Sequence, residues 1–212
     1  MAAEAQSFGH IELTMTTTLD VSGVQFHPVI VLPEIYEVYD FSRGYDPDRE
    51  LAHPYGVGKY DEVRPGMYEG EQFEGIRNIH MGIDIGCPSG ETVHAFYEGT
   101  IFKLGDNALP YDYGPTIITR HTWRDQIVYA LHGHLSRESL LTWSEGDSFT
   151  AGTAIAQVGE SHENGGWNPH LHFQLSLKEP ETHDLPGAVS LADRAWARSV
   201  FPDPAMVLGR LY

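Results

Sequence analysis

The sequence predicts a mainly β protein: an antiparallel sheet forming a groove, with an N-terminal hairpin, long irregular loops and a short C-terminal helix. Three observations carry this. Apolar residues come in short runs, not in long amphipathic stretches. The 22 glycines and 13 prolines punctuate those runs as turns. Two runs, 127–134 and 170–177, alternate with the two-residue period of a strand. With 212 residues, 41% of them hydrophobic, the chain is long enough to bury one real core. The expectation is a single domain over 1–212: a hairpin and wrapping loops over 1–74, a core over 75–178, and a helical tail over 179–212.

Taken in order, residues 10–32 hold two β-rich runs, His10–Thr16 and Val24–Leu32, which read as a hairpin added to the sheet. Residues 36–75 are rich in Tyr, Asp, Gly and Pro and have little periodicity. A segment of that length without period reads as a wrapping loop, and it feeds directly into His80. Residues 79–178 read as an antiparallel β unit. In its last run His170, His172, Gln174 and Ser176 share one face, and Leu171, Phe173, Leu175 and Leu177 the other. The same alternation puts His132 and His134 on one face of the 127–134 strand, as a neighbour of the last. The tail carries a helix over Leu191–Val200, stopped by Phe201-Pro-Asp-Pro204.

The chemistry concentrates in three segments: His80-Met-Gly-Ile-Asp84, His132-Gly-His134 and His170-Leu-His172. They offer five histidines and one aspartate to a single pocket. Two imidazoles and one carboxylate suffice to hold a zinc ion and leave its fourth position to water, the arrangement of a hydrolytic rather than a structural site. His94 and His121 fall on strands outside these segments and read as surface or core residues. Cys87, the only cysteine, excludes an intrachain disulfide and reads as part of a strand end and turn.

Ile79-His-Met-Gly-Ile-Asp-Ile-Gly86 resembles the first motif of the lysostaphin/LytM-type zinc metalloendopeptidases, Gly133-His-Leu-Ser136 their middle motif, and Pro169-His-Leu-His-Phe-Gln174 their last. The resemblance covers about residues 75–178. It implies a LytM-like β groove and one zinc ion per chain, held by His80, Asp84 and His172. It also implies His134 and His170 as the catalytic histidines, beside a zinc-activated water. The sequence departs from the pattern at Gln174, where the family usually has Glu, and at His132, where it commonly has an aromatic residue. The loop before His170, Glu160–Pro169, is longer and more polar than the family's short Gly/Ser/Thr run. His132, together with His162, Asn164 and Trp167 of that loop, is a candidate substrate-binding residue. Trp167 reads equally as a stacking platform or as a loop anchor.

A formal charge of −17, from 30 acidic against 13 basic residues, argues against nucleic acid and anionic membrane as partners. The expected partner is a peptide or small-molecule substrate; nothing indicates an oligomeric state. The first residues show no basic n-region or apolar h-region, so the expectation is a cytoplasmic protein, extracellular if an export signal has been removed. Three functions stay open here. They are a zinc metallopeptidase hydrolysing an amide in a peptidoglycan-type peptide, an intracellular zinc enzyme acting on a non-murein small molecule or peptide, and a non-catalytic binding or regulatory module.

Overall fold

A computed structural model describes residues 19–46 and 51–212. Its strands are β1 (Glu37–Val38), β2 (Gly56–Gly58), β3 (Ile79–His80), β4 (Ile83–Gly86), β5 (Thr92–His94), β6 (Gly99–Asn107), β7 (Gly114–Trp123), β8 (Gln126–Gly133), β9 (Ser148–Phe149), β10 (Ala154–Gln157), β11 (His170–Ser176) and β12 (Ala188–Val189). Eight of them form one sheet in the order β1-β2-β4-β11-β8-β7-β6-β9. It is antiparallel except where β1 meets β2. Two small antiparallel pairs, β10 with β5 and β12 with β3, complete the β structure. The mainly β, antiparallel prediction holds.

The alternation along β11 explains its central place. Leu171, Phe173 and Leu175 are fully buried in a cluster with Ile83 and Ile85 of β4 and Ala130 of β8. Each such side chain contributes on the order of 1.5–3 kcal/mol relative to exposure. The other face of β11 is buried as well. A second cluster, including Ile79, Met81, Leu131, Leu185 and Phe201, packs over it. The tail contributes Leu185, Val189, Ala197 and Phe201 to this second cluster. Its helix α1 spans Arg194–Val200, and its helix α2, Ala205–Leu208, packs on the first cluster through Val207. The helix starts at Arg194 rather than Leu191 because Ser190 and Asp193 close a turn first, the Asp193 N–H donating to Ser190 Oγ at 3.3 Å.

The hairpin expected over 10–32 is not seen among the described residues. Its first run lies outside the described residues. Its second run, Val24–Leu32, forms no strand. It instead runs alongside β5, with the His27 N–H donating to Phe96 O and the His94 N–H to Val29 O, each at 2.8 Å. Val29 and Ile30 are buried in the main cluster, so the run packs on the core rather than extending the sheet. The 36–75 segment, read from the sequence as a wrapping loop, instead supplies β1 and β2 to the main sheet. Its later part carries Arg64, Tyr68 and Phe73, which line the cleft beside His80, Asp84 and His172. Among the described residues, no helix is long and apolar enough to cross a membrane.

Candidate metal centre

Register brings the motifs together. In the β11–β4 pair His172 stands opposite Asp84, and in the β11–β8 pair it stands opposite Gly133. Directly opposed residues project to the same face, so Asp84 and His172 converge. β3 brings His80 to the same point. His80 Nε2, Asp84 Oδ1 and His172 Nδ1 form a triangle with edges of 3.0 Å (His80–His172), 3.2 Å (His80–Asp84) and 3.0 Å (His172–Asp84). A tetrahedral centre with ligands about 2.0–2.1 Å away has donor–donor edges of about 3.3–3.4 Å, so this donor set fits a zinc-sized ion. Among the described residues this is the one cluster of His, Cys, Asp or Glu close enough to hold a metal.

The surrounding hydrogen bonds aim each donor. His80 Nδ1–H donates to Lys59 O at 2.9 Å, which leaves Nε2 as the lone pair facing the triangle. His172 is reversed: its Nε2–H donates to Gln174 Oε1 at 3.0 Å and its Nδ1 faces inward. Gln174 is itself oriented, because its amide nitrogen donates to Pro186 O at 3.3 Å and a carbonyl only accepts. Gln174 therefore does the orienting that a carboxylate would do at this position. Burial pushes the His80 pKa down to about 4, with the Arg64 guanidinium adding to the effect. Burial alone would raise Asp84, but His80, Arg64 and the hydrogen bonds hold its carboxyl well below the usual range. Both groups are thus in their metal-binding protonation states at neutral pH.

His134 and His170 stack beside the triangle with ring centroids 4.1 Å apart. His134 Nδ1–H donates to Asn164 O at 2.9 Å and His170 Nδ1–H to Asn168 O at 2.7 Å. Each neutral ring therefore keeps a free lone pair on Nε2. Burial lowers the pKa of both, His134 well below its ordinary value with His170 and His172 adding to it.

The expectation that His132 and His134 share a face is corrected. His134 lies just past the end of β8 with φ 62°, a left-handed conformation that breaks the strand alternation and turns its ring toward the triangle. His132 stays in register opposite Phe173 and is 0% exposed on the core side, its Nδ1–H donating to Ile117 O at 3.2 Å. It does not line the cleft. Of the loop residues, His162 is exposed and pairs with Glu160 at 3.3 Å. Asn164 is fully buried and ties the loop, donating to Trp167 O and accepting from Trp167 N–H, each at 3.0 Å. Trp167 is mostly buried and makes edge contacts with Tyr45, Tyr68 and Tyr111. It thus combines both readings, pinned by Asn164 yet lining the cleft.

The cleft has two compartments that share Met67, Asp84, Trp167 and His170. One, of about 120 Å³, lies over the triangle and carries polar groups from Gln72, Arg77, Asp112 and Asp184. The other, of about 560 Å³, is walled by Tyr39, Phe41, Tyr45 and Pro169. Cys87 lines the second, but burial raises its thiol to about 12, so it is no nucleophile at neutral pH. Sequence reasoning missed Arg64, Tyr68 and Tyr113. The first two come from the segment without periodicity. Tyr113 immediately precedes β7, and its hydroxyl donates to Leu185 O at 3.2 Å beside His172.

Comparison with known proteins finds several similar structures. The zinc-containing peptidase of Vibrio cholerae is 20% identical over 60% of this chain and 33% of its own, so this chain spans a third of its length, with a TM-score of 0.41. The catalytic domain of the antimicrobial peptidase lysostaphin from Staphylococcus simulans is 21% identical over 68% of this chain and 92% of that one, with a TM-score of 0.45. A catalytic-domain mutant of the prophage-encoded M23 protein EnpA from Enterococcus faecalis is 23% identical over 65% and 92%, with a TM-score of 0.43. No curated protein matches the chain. The family model described as "Peptidase family M23" matches residues 78–184, half of the chain and all three histidine motifs. The chain therefore belongs to peptidase family M23 and is a metallopeptidase, a hydrolase of a family that is typically zinc-dependent.

Proposed function

We propose that this protein is a zinc-dependent endopeptidase that hydrolyses an amide bond in a peptidoglycan-type peptide, with one zinc per chain on His80, Asp84 and His172. The observation that carries the reading is the donor triangle opening into a cleft beside two further oriented imidazoles. Zinc bound there supplies Lewis acidity and a water of lowered pKa.

His134 and His170 supply the proton chemistry. Their Nδ1–H groups are held by Asn164 O and Asn168 O, so Nε2 is the atom that accepts a proton. Once protonated, the same nitrogen donates to negative charge developing on the scissile carbonyl oxygen. Burial keeps both rings neutral before reaction, the state a base needs. A peptide lying across the site would place one side in the smaller compartment over the triangle and the other along the larger, aromatic-walled one. Trp167, at their junction, meets both sides and offers stacking area. The choice of peptidoglycan rests on the three motifs, which resemble the lysostaphin/LytM-type enzymes along the whole core.

The test is digestion of purified cross-linked peptidoglycan and of glycine-rich peptides, with new amino groups counted and fragments weighed. The expected result is release of new amino termini, abolished by a chelator and restored by zinc. Zinc-loaded protein that opens no amide in either substrate would overturn the reading. Cleavage of free peptides alone would move the substrate to a non-murein peptide.

A further inference from the structure

The segment just before the matched family region contains a buried charge cluster that touches the metal centre. Arg64 is 1% exposed. Its Nη1 lies 2.6 Å from Asp84 Oδ2, and its Nε 3.1 Å from Glu62 Oε2. Its Nη2 donates to Lys59 O at 3.2 Å, and its Nη1 also reaches the Tyr68 hydroxyl at 3.2 Å. The guanidinium lies over the Phe41 ring, 4.9 Å from its centroid, and Glu62 Oε1 accepts from the Phe41 N–H at 3.2 Å.

We infer that Arg64, paired with Glu62, is a positioning residue for the metal centre: it holds Asp84 so that only Oδ1 faces the ligand triangle. This rests on the reading that His80, Asp84 and His172 hold zinc.

Three features support the inference. First, the two Asp84 oxygens are divided between two partners. Oδ1 meets His80 and His172, while Oδ2 meets Arg64, which blocks two-oxygen coordination. Secondly, the Lys59 carbonyl accepts from both Arg64 and His80 Nδ1. One strand end therefore orients two of the three proposed ligands. Gly58, adjacent, has to lack a side chain: a Cβ there would lie 2.8 Å from Arg64 Nη2 and 3.2 Å from Asp84 Oδ2. Thirdly, a lone cation this near a metal site would repel the metal. Glu62, 3.1 Å from Arg64 Nε and 3.6 Å from Lys59 Nζ, reduces that repulsion, which leaves Arg64 room to act by orienting Asp84. Arginine suits the role because its planar fork reaches several acceptors at once, which an ammonium on a lysine stem does not.

The experiment measures zinc affinity by competition with a chromophoric chelator, and the visible spectrum of the cobalt(II)-loaded protein. It uses wild type, Arg64→Gln, Arg64→Lys and Glu62→Gln, with apo-protein melting as the folding control. Arg64→Gln is expected to bind zinc about 10- to 100-fold more weakly. Arg64→Lys is expected to recover part of that loss, and Glu62→Gln to weaken binding by removing the carboxylate that holds the Arg64 Nε and reduces the positive charge beside the site. The cobalt bands of the arginine variants should lose intensity as Asp84 is freed to offer both oxygens. Should Arg64→Gln fail to fold, Arg64→Lys decides by the same two readouts. Wild-type zinc affinity and an unchanged cobalt spectrum in a folded Arg64 variant would overturn the inference. A wild-type protein that binds no zinc would overturn the underlying reading of the ligands instead.

Discussion

Adding one methyl group at Gly82 should disrupt the proposed metal centre without replacing a ligand. Gly82 lies between His80 and Asp84, and its φ is one that any residue adopts, so alanine brings no backbone strain there. A Cβ at this position would sit 2.5 Å from His172 Cε1, 2.6 Å from His172 Nε2 and 2.9 Å from Phe173 O. Optimal contact is about 3.5–4.0 Å, so the imidazole must move by about 1 Å. The same imidazole supplies Nδ1 to the triangle and Nε2–H to Gln174. A shift of that size opens edges that now measure 3.0 Å beyond what one ion spans. Overpacking should cost about 1–3 kcal/mol of apo stability. That exceeds the roughly 0.4–1 kcal/mol that Gly→Ala contributes by restricting the unfolded chain. Zinc affinity should fall by at least the 10- to 100-fold typical of a disturbed supporting contact. The assay is a zinc titration against a competing chelator, together with urea unfolding of the apo protein. A Gly82→Ala protein with wild-type zinc affinity would refute the steric argument, and with it the close approach of His172 to this backbone.

Other outcomes follow from the same geometry. His134→Ala and His170→Ala should each keep one zinc and lose about 10²–10⁴ in turnover, read by metal analysis and initial rates on a cleaved peptide; loss of the metal in either would make that residue a ligand. Asn164→Ala removes two buried hydrogen bonds to the Trp167 backbone, so denaturant unfolding should show a loss of about 1–3 kcal/mol, with lower activity on every substrate; unchanged stability would mean the loop is held elsewhere. His121, buried with Nδ1 on Glu98 O and Nε2 on Thr119 Oγ1, has its pKa lowered to about 3 by burial. An unfolded histidine protonates near 6.5, so the unfolded chain takes up a proton first and stability falls as pH drops from about 6.5 toward 3. From pH 7.5 to 5.0 this amounts to about 2 kcal/mol. His121→Phe should lose that much less over the same interval in urea melts, and an equal acid loss in both proteins would contradict the assignment.

The features legible in the sequence are those that depend on neighbours along one strand. Alternation in 170–177 reported that Leu171, Phe173 and Leu175 face one way and His170 and His172 the other, because side chains on a strand alternate whatever surrounds it. The His80, Asp84 and His172 grouping was legible because its motif spacing resembles a known family. Other features were settled by partners distant in sequence. Pairing register sets His172 opposite Asp84, and a left-handed residue at the end of β8 sends His134 to the site while His132 stays in the core. Gln174 and Ser176 on the polar face of β11 are fully buried, and the tail reaches that face where Gln174 donates to Pro186 O, a packing that alternation alone does not show. The largest omission is Arg64. Its role depends on Glu62 and Asp84 closing around it in a segment with no period, and a charged run such as Lys59–Arg64 reads as solvated surface. Only the folded chain shows it buried, since the guanidinium enters the interior when Asp84, distant in sequence, arrives to complete the pairing offered by its neighbour Glu62.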